Sequence, residues 1–179
     1  EGKAYVIGRY DNNLRYLDDQ LSKFLDNLPK DSTIAVFSDH GEEFWDHDGF
    51  EHGHSLYDEL LRIPFIIRSP ELNAGTDGAP VSLLDLMPTV AHSAGVSIEE
   101  TSGWALQTKT KAELENRPQA FGRMLYGNDA WATLFNQHKY IVQAGKDESY
   151  SLELDPGEQR NILSPTLQAD AWKEMATAL

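Results

Sequence analysis

Thr33-Ile34-Ala35-Val36-Phe37 runs directly into Ser38-Asp39-His40-Gly41, and the reading of this stretch decides the fold. A short, β-branched and continuously apolar run is what a strand buried on both faces requires, because neither face can then carry polar side chains. Upstream, Leu14, Leu17, Leu21, Phe24, Leu25 and Leu28 recur at three- and four-residue spacing, with Arg15, Asp18, Asp19 and Lys23 between them. That is the pattern of an amphipathic helix, and Pro29 stops it. Downstream, Ile63-Pro64-Phe65-Ile66-Ile67 reads as a second buried strand, with Pro64 tolerable near its start. Pro70 to Pro80 reads as loop. Leu83, Leu84, Leu86, Met87, Val90 and Ala91 then share a helical face between Ser82 and Ala94, with Gly95 in the place of a C-cap glycine and Pro88 kinking or restarting the helix. A helix followed by a buried strand, then another strand and helix, predicts an α/β layer.

After about residue 116 the texture changes. Phe121 to Tyr126, Trp131 to Phe135, Tyr140 to Val142 and Tyr150 to Leu154 are short β-type runs separated by Gly, Asn and Asp, which predicts an antiparallel meander. Asp155-Pro156-Gly157-Glu158 is a turn signal, and Leu167, Ala171, Trp172, Met175 and Leu179 give a closing helix. Glu99 to Asn116 is polar enough to be a mobile connection. The chain therefore divides into an α/β part, residues 1–116, and a small antiparallel β subdomain with a closing helix, residues 117–179. No internal repeat is present.

Composition bounds the function. The chain has 179 residues, 40% of them hydrophobic and 25% charged, which suits one ordinary globular unit rather than a disordered or fibrous one. Fifteen Lys and Arg against twenty-nine Asp and Glu give a formal charge of −14, so phosphate backbones and acidic lipids are repelled over most of the surface. A basic reader of nucleic acid is excluded. No apolar run approaches the ~20 residues of a transmembrane helix, and Glu1 does not open a signal peptide. The absence of cysteine removes disulfides, thiolate zinc sites and a cysteine nucleophile from this chain, and leaves the compartment undecided.

Four of the six histidines, His40, His47, His52 and His54, fall within fifteen positions and are interleaved with acids that include Asp39, Glu42, Glu43, Asp58 and Glu59. In open α/β sheets ligands sit beyond the carboxyl ends of strands, where Asp39 and His40 would be held rigidly and Gly41 would allow the backbone to turn. Carboxylate oxygen with neutral imidazole nitrogen suits Zn or Mn better than a pure oxygen site would, with Ca remaining open. The plainer alternative is a solvated, acid-rich loop in an acidic protein. His92 reads as a packing or surface residue within a helix, and His138 precedes a strand with no acidic neighbour.

Taken together, Ser38-Asp39-His40-Gly41-Glu42-Glu43-Phe44, His52-Gly53-His54-Ser55-Leu56-Tyr57-Asp58-Glu59-Leu60-Leu61-Arg62-Ile63-Pro64-Phe65, Val81 to Val90 with Ala94-Gly95, and Glu153 to Asn161 resemble, in order and spacing, the second half of the sulfatase family. The resemblance implies the alkaline phosphatase superfamily. Its members have an alkaline-phosphatase-like α/β sandwich, here followed by the β meander and C-terminal helix, and cleave sulfate or phosphate esters at a divalent metal centre. It implies that Asp39 and His40 are metal ligands. It implies that His52, with His54 as the fallback, takes the place of the Lys or His that contacts the ester oxyanion or a second metal. Asp85 and Arg62 read as structural residues that satisfy backbone groups.

Position 40 is Asn in many sulfatases and His in phosphonate monoester hydrolases and phosphatase-like branches. The family's nucleophile motif, Cys/Ser-x-Pro-x-Arg, is absent here. The expected function is therefore metal-dependent hydrolysis of a small or glycan sulfate ester, by a longer protein whose N-terminal remainder supplies the nucleophile, with the isolated chain inactive. The alternatives are a phosphoesterase, phosphonate monoester hydrolase or phosphoethanolamine-type transferase of the same superfamily, or a non-catalytic module that binds metal or ligand.

Overall fold

The computed structural model describes residues 2–122, 124–127, 129–143 and 146–164. Its first element, α1 (Gly2–Leu25), begins well before the leucine stripe that announces it. The helix frays through Asp26, whose N–H reaches Ser22 O, and Asn27 Nδ2 donates to Lys23 O at 2.7 Å before Pro29 blocks further turns. No residue of α1 is buried. Leu14, Tyr16, Leu17 and Phe24 are exposed while Leu21, Leu25 and Leu28 are half-buried, so the described residues cover the apolar stripe only in part.

The strand β1 (Ile34–Phe37) forms where the apolar run predicts it, and pairs antiparallel with β4 (Phe65–Arg68), Ile34 facing Arg68 and Phe37 facing Phe65. Burial on both faces is corrected: β1 is half-buried, with Phe37 exposed, and Ile66 of β4 is 62% exposed. The two strands form a two-stranded sheet, which has too few neighbours among the described residues to cover either face. Between them lie the hairpin β2 (Glu43–Phe44) and β3 (Phe50–Glu51) and the single-turn helix α2 (Asp58–Leu61).

The helix foreseen from Ser82 to Ala94 forms as a 3-10 turn that runs directly into an α-helix. A 3-10 turn at Leu83–Asp85 is capped by Ser82, and α3 (Leu86–Ser93) follows with Pro88 in its first turns. Gly95, at φ +70°, closes the helix with Val96 N–H on Ala91 O.

The stretch from Glu99 to Asn116, expected to be a mobile connection, is instead tied down. Leu106 N–H donates to Thr89 Oγ1 at 3.0 Å, Gln107 Nε2 to Thr89 O at 2.9 Å, and Trp104 N–H to Asp85 Oδ1 at 2.8 Å. It also carries the short helix α4 (Lys111–Glu115), started by a reciprocal Thr110–Glu113 capping box. The Thr-x-x-Glu signal was present in the sequence.

The meander is β5 (Gln119–Gly122), β6 (Ala130–Phe135), β7 (His138–Gln143) and β8 (Glu148–Ser151), an antiparallel sheet in sequence order. Asn136 and Gln137, both at positive φ, make the two-residue turn that matches the twist of β6 and β7. Ala130, Ala132, Ile141 and Tyr150 of the sheet pack on Leu56, with Tyr57 and Leu61 alongside, so the sheet is seated against the segment that leads into and through α2. The Asp155 to Glu158 turn forms, Glu158 N–H bonding Asp155 O at 3.1 Å. The closing helix foreseen from Leu167 to Leu179 lies outside the described residues. No helix among the described residues is long and apolar enough to cross a membrane.

Candidate functional site

The loop after β1 is shaped by close backbone approach. Gly41 N–H donates to Leu60 O at 2.8 Å, and a Cβ at Gly41 would collide with the Glu59 carbonyl. Only glycine lets the loop lie against α2 there. Ser38 Oγ donates to the His40 carbonyl at 2.6 Å and holds the turn. Asp39 Oδ1 accepts the His40 N–H at 3.1 Å, and its carboxylate is otherwise in solvent.

His40 Nδ1 lies 2.7 Å from Gly41 O, an acceptor, so this nitrogen carries the proton of the neutral ring and Nε2 carries the lone pair. That Nε2 is 3.7 Å from Asp39 Oδ1. The His40 ring stacks on His52 with centroids 3.9 Å apart, and His52 Nδ1 is 3.1 Å from Glu42 Oε1. Asp39, His40 and His52 therefore share one wall of a cleft of about 820 Å³, whose other lining includes Arg62, Gln137 and Lys139. Arg62 stands at the C-cap of α2, its N–H on Asp58 O.

His54 does not line that cleft. Its Nε2 meets Glu43 Oε2 at 2.8 Å, and Glu43, only 1% exposed, also accepts the N–H groups of His47 at 3.1 Å and Gly49 at 2.6 Å. A buried carboxylate is costly unless it is fully bonded, and here three donors converge on it. The hairpin it holds is unusually bent: Trp45, Asp48 and Glu51 all sit at positive φ. His52, the first candidate in the sequence, and His54, its fallback, thus end in different surroundings.

His47, also in the cluster, is braced on every side. Nδ1 lies 2.6 Å from Glu59 Oε1 and Nε2 3.0 Å from the Glu158 carbonyl, while the ring stacks on Tyr57 at 3.7 Å. Burial lowers its pKa, but the Glu59 hydrogen bond and the Glu158 carbonyl and carboxylate outweigh that and raise it above 6.5. Tyr57 donates to Glu148 Oε2 at 2.8 Å, and burial beside that carboxylate pushes its hydroxyl far above the usual range.

Sequence reasoning missed Lys139 and Glu158 as partners in this frame. Lys139 Nζ donates to Asp58 Oδ1 at 2.8 Å and forms an ion pair with Glu158 Oε1 at 2.9 Å. Asp85, read as structural, is fully buried; its carboxylate accepts the Ser82 backbone N–H at 2.9 Å and a bidentate pair from Arg117 at 2.8 and 2.6 Å. Arg117 lies in turn over the Trp104 ring. His92 lies in α3, and His138 opens β7 opposite Ser151. Among the described residues no group of three or more His, Asp or Glu side chains is gathered as a metal site.

Comparison with known proteins gives a consistent result. The family model described as Sulfatase matches residues 1–96. The chain is 30% identical to an arylsulfatase of Clostridium perfringens, over 87% of this chain and 35% of that protein. It is 28% identical to an uncharacterized sulfatase, YidJ, of Escherichia coli, over 92% of this chain and 35% of that protein. Among solved structures, a protein in complex with its substrate D-glucosamine-2-N,6-O-disulfate superposes with a TM-score of 0.61 at 25% identity, covering 93% of this chain and 36% of that one. The chain thus spans about a third of the length of the curated relatives it matches.

Proposed function

The chain belongs to the sulfatase family, and we propose that it contributes one wall of the active site of a sulfuric ester hydrolase acting on a sulfated sugar or a smaller sulfate ester. The observation that carries this is the placement of Asp39, His40 and His52 together at one cleft, with the Nε2 of His40 facing the Asp39 carboxylate. The overall reaction adds water to the ester and releases an alcohol, sulfate and a proton.

A divalent cation fits the donors present. Metal-ligating histidines commonly donate their other N–H to a backbone carbonyl, as His40 Nδ1 does to Gly41 O. Two ligands about 2.1 Å from one ion at ordinary angles are about 3.4–3.6 Å apart, close to the 3.7 Å between His40 Nε2 and Asp39 Oδ1. Asp39 and His40 would hold the ion, and Zn, Mn and Ca are the candidates. Bound there, it would supply positive charge to a substrate that the −14 charge of the chain otherwise repels.

The chain's own residues perform the remaining tasks. His52, fixed against His40 and Glu42, offers an imidazole nitrogen to a sulfate oxygen or to the leaving alcohol. Arg62, which lines the cleft, adds a cation for an anionic substrate. The remaining ligands and the nucleophile come from residues beyond these 179, and the isolated chain is inactive. Hydrolysis of phosphate or phosphonate esters is the second reading, favoured by His at position 40.

The test uses the full-length protein that carries this chain, assayed on 4-nitrophenyl sulfate and 4-nitrophenyl phosphate, with metal content measured in parallel. Sulfate turnover that falls at least a hundredfold in Asp39→Ala, together with lost metal, supports the reading. Unchanged metal in Asp39→Ala ends the ligand assignment. Phosphate turnover exceeding sulfate turnover moves the protein to the second reading.

A further inference from the structure

Glu42 and Glu43 are adjacent, yet each takes a different histidine and a different ring nitrogen. Glu42 Oε1 faces His52 Nδ1 at 3.1 Å, whereas Glu43 Oε2 faces His54 Nε2 at 2.8 Å. The split follows from local geometry: successive side chains along an extended backbone point to opposite sides, and His52 and His54 leave β3 through Gly53, which stands at φ +86°. An ionised carboxylate only accepts hydrogen bonds, so the nitrogen it faces carries the proton. His52 is then protonated at Nδ1 with its lone pair on Nε2, and His54 has the reverse arrangement.

The surroundings differ in the same sense. His52 lines the cleft, stacked on His40. His54 is bound to a carboxylate that is 1% exposed and that also gathers the backbone N–H groups of His47 and Gly49, within a hairpin where a Cβ on Gly49 would collide with both side chains.

The geometry points to Glu42 as the positioning residue of this site: it sets the tautomer and ring orientation of His52 so that a basic Nε2 is presented beside His40. The neighbouring Glu43–His54 pair is the brace that holds the hairpin, and takes no part in chemistry. The catalytic consequence rests on the ester-hydrolase reading of the cleft; the tautomer assignment does not.

The deciding experiment is a two-bond proton–nitrogen correlation spectrum of the labelled 179-residue chain, at a pH where the rings are neutral. It is recorded for the parent chain, Glu42→Ala and Glu42→Gln, with Glu42→Ser as a second truncation should the alanine chain not fold. The expected parent spectrum shows His52 protonated at Nδ1 and His54 at Nε2. Truncation at Glu42 shifts His52 toward Nε2 protonation, Glu42→Gln retains the parent form because its amide oxygen still accepts, and His54 is unchanged throughout. His52 protonated at Nε2 in the parent, or unmoved by truncation, overturns the proposal.

In the full-length enzyme, Glu42→Ala lowers kcat about 10–100-fold, the usual cost of losing such a partner, with KM little changed. Glu42→Gln recovers most of the rate. His54→Gln, which can still donate to Glu43, keeps kcat and lowers the thermal midpoint. Loss of kcat in His54→Gln equal to that in Glu42→Ala overturns the division of roles. An enzyme with no sulfate turnover, but with the expected tautomers, would refute the proposed reaction and leave the positioning geometry standing.

Discussion

The Lys139 ammonium lies 2.9 Å from Glu158 Oε1, with both side chains 1% exposed. Asp58 Oδ1 lies 2.8 Å from the same ammonium, and Glu158 Oε2 accepts the Asp58 N–H at 2.6 Å. One buried lysine thus joins β7, the start of α2 and the turn after β8. Burial, with the Asp58 charge adding to it, pushes the Glu158 carboxyl above its usual range, against the pull of Lys139 and of the Asp58 N–H. Lys139→Met leaves two carboxylates facing an apolar side chain and is expected to cost about 3–5 kcal/mol. Urea unfolding checks this, and adding Glu158→Gln to Lys139→Met should restore part of the midpoint. Equal midpoints for Lys139→Met and the parent would show that the pair contributes nothing.

His47 makes stability depend on pH in the opposite sense from most carboxylates. Both of its nitrogens face acceptors, Glu59 and the Glu158 carbonyl, which only the imidazolium satisfies together. On losing its proton the ring can accept from the Gln159 amide at 3.2 Å but must release one of those acceptors. Because the folded pKa is raised above 6.5, the folded state holds the extra proton in the window between the two values. The contribution is complete below about pH 6.5 and is lost as pH rises through the raised value. Tyr57 does not titrate in this window, and Glu158, itself raised, loses stability in the same direction. The thermal midpoint should therefore fall from pH 6 to pH 8 in the parent and fall less in His47→Gln. Identical slopes would remove His47 from the account.

Asp85 works the other way. Burial raises its pKa, but the Arg117 fork and the Trp104 and Ser82 N–H groups overcome that and hold the carboxyl below 3.8. The folded value lies below the unfolded one, so its contribution is present above about pH 4 and disappears as pH falls through the lowered value. Asp85→Asn leaves Arg117 with a neutral partner and is expected to cost about 3 kcal/mol at neutral pH. The difference between variant and parent should shrink toward pH 2 in guanidinium titrations. A constant difference across that range would mean that the charge is irrelevant.

What the sequence could reveal follows from the range of each signal. The strand at Ile34–Phe37, the helix from Leu83 to Ser93, the Gly95 cap and the four-strand meander are local patterns, and all are legible within a few residues. The Lys139–Glu158–Asp58 cluster joins positions far apart in the chain, and a lone lysine in a β run carries no mark of its partners. Burial of β1 failed as an expectation for a related reason: an apolar run says that a surface is to be covered, not by what. At the candidate site, the stretch from Asp39 to His54 shows a crowd of histidines and acids, yet within it Glu42 and Glu43 are indistinguishable. Only the fold shows that one faces the cleft histidine and the other is sealed in the hairpin.

Gly41 gives the most direct link between backbone packing and the candidate site. A methyl group there would meet the carbonyl of Glu59, which is backbone and cannot rotate away, and the loop would have to lift from α2 and lose the Gly41 N–H bond to Leu60 O. His40 and Glu42, on either side, would move with it, and the His40–His52 stack at 3.9 Å would open. Gly41→Ala is therefore expected to cost about 3 kcal/mol, at the upper end for overpacking, and to shift the ring protons of both histidines downfield as the stack separates. Gly95→Ala is the control: a Cβ there meets open space, and only its φ of +70° opposes the change. That strain is worth about 1–2 kcal/mol and should leave the histidine resonances where they are. If Gly41→Ala is no more destabilising than Gly95→Ala and leaves the stack intact, close contact with α2 is not what sets the geometry of His40.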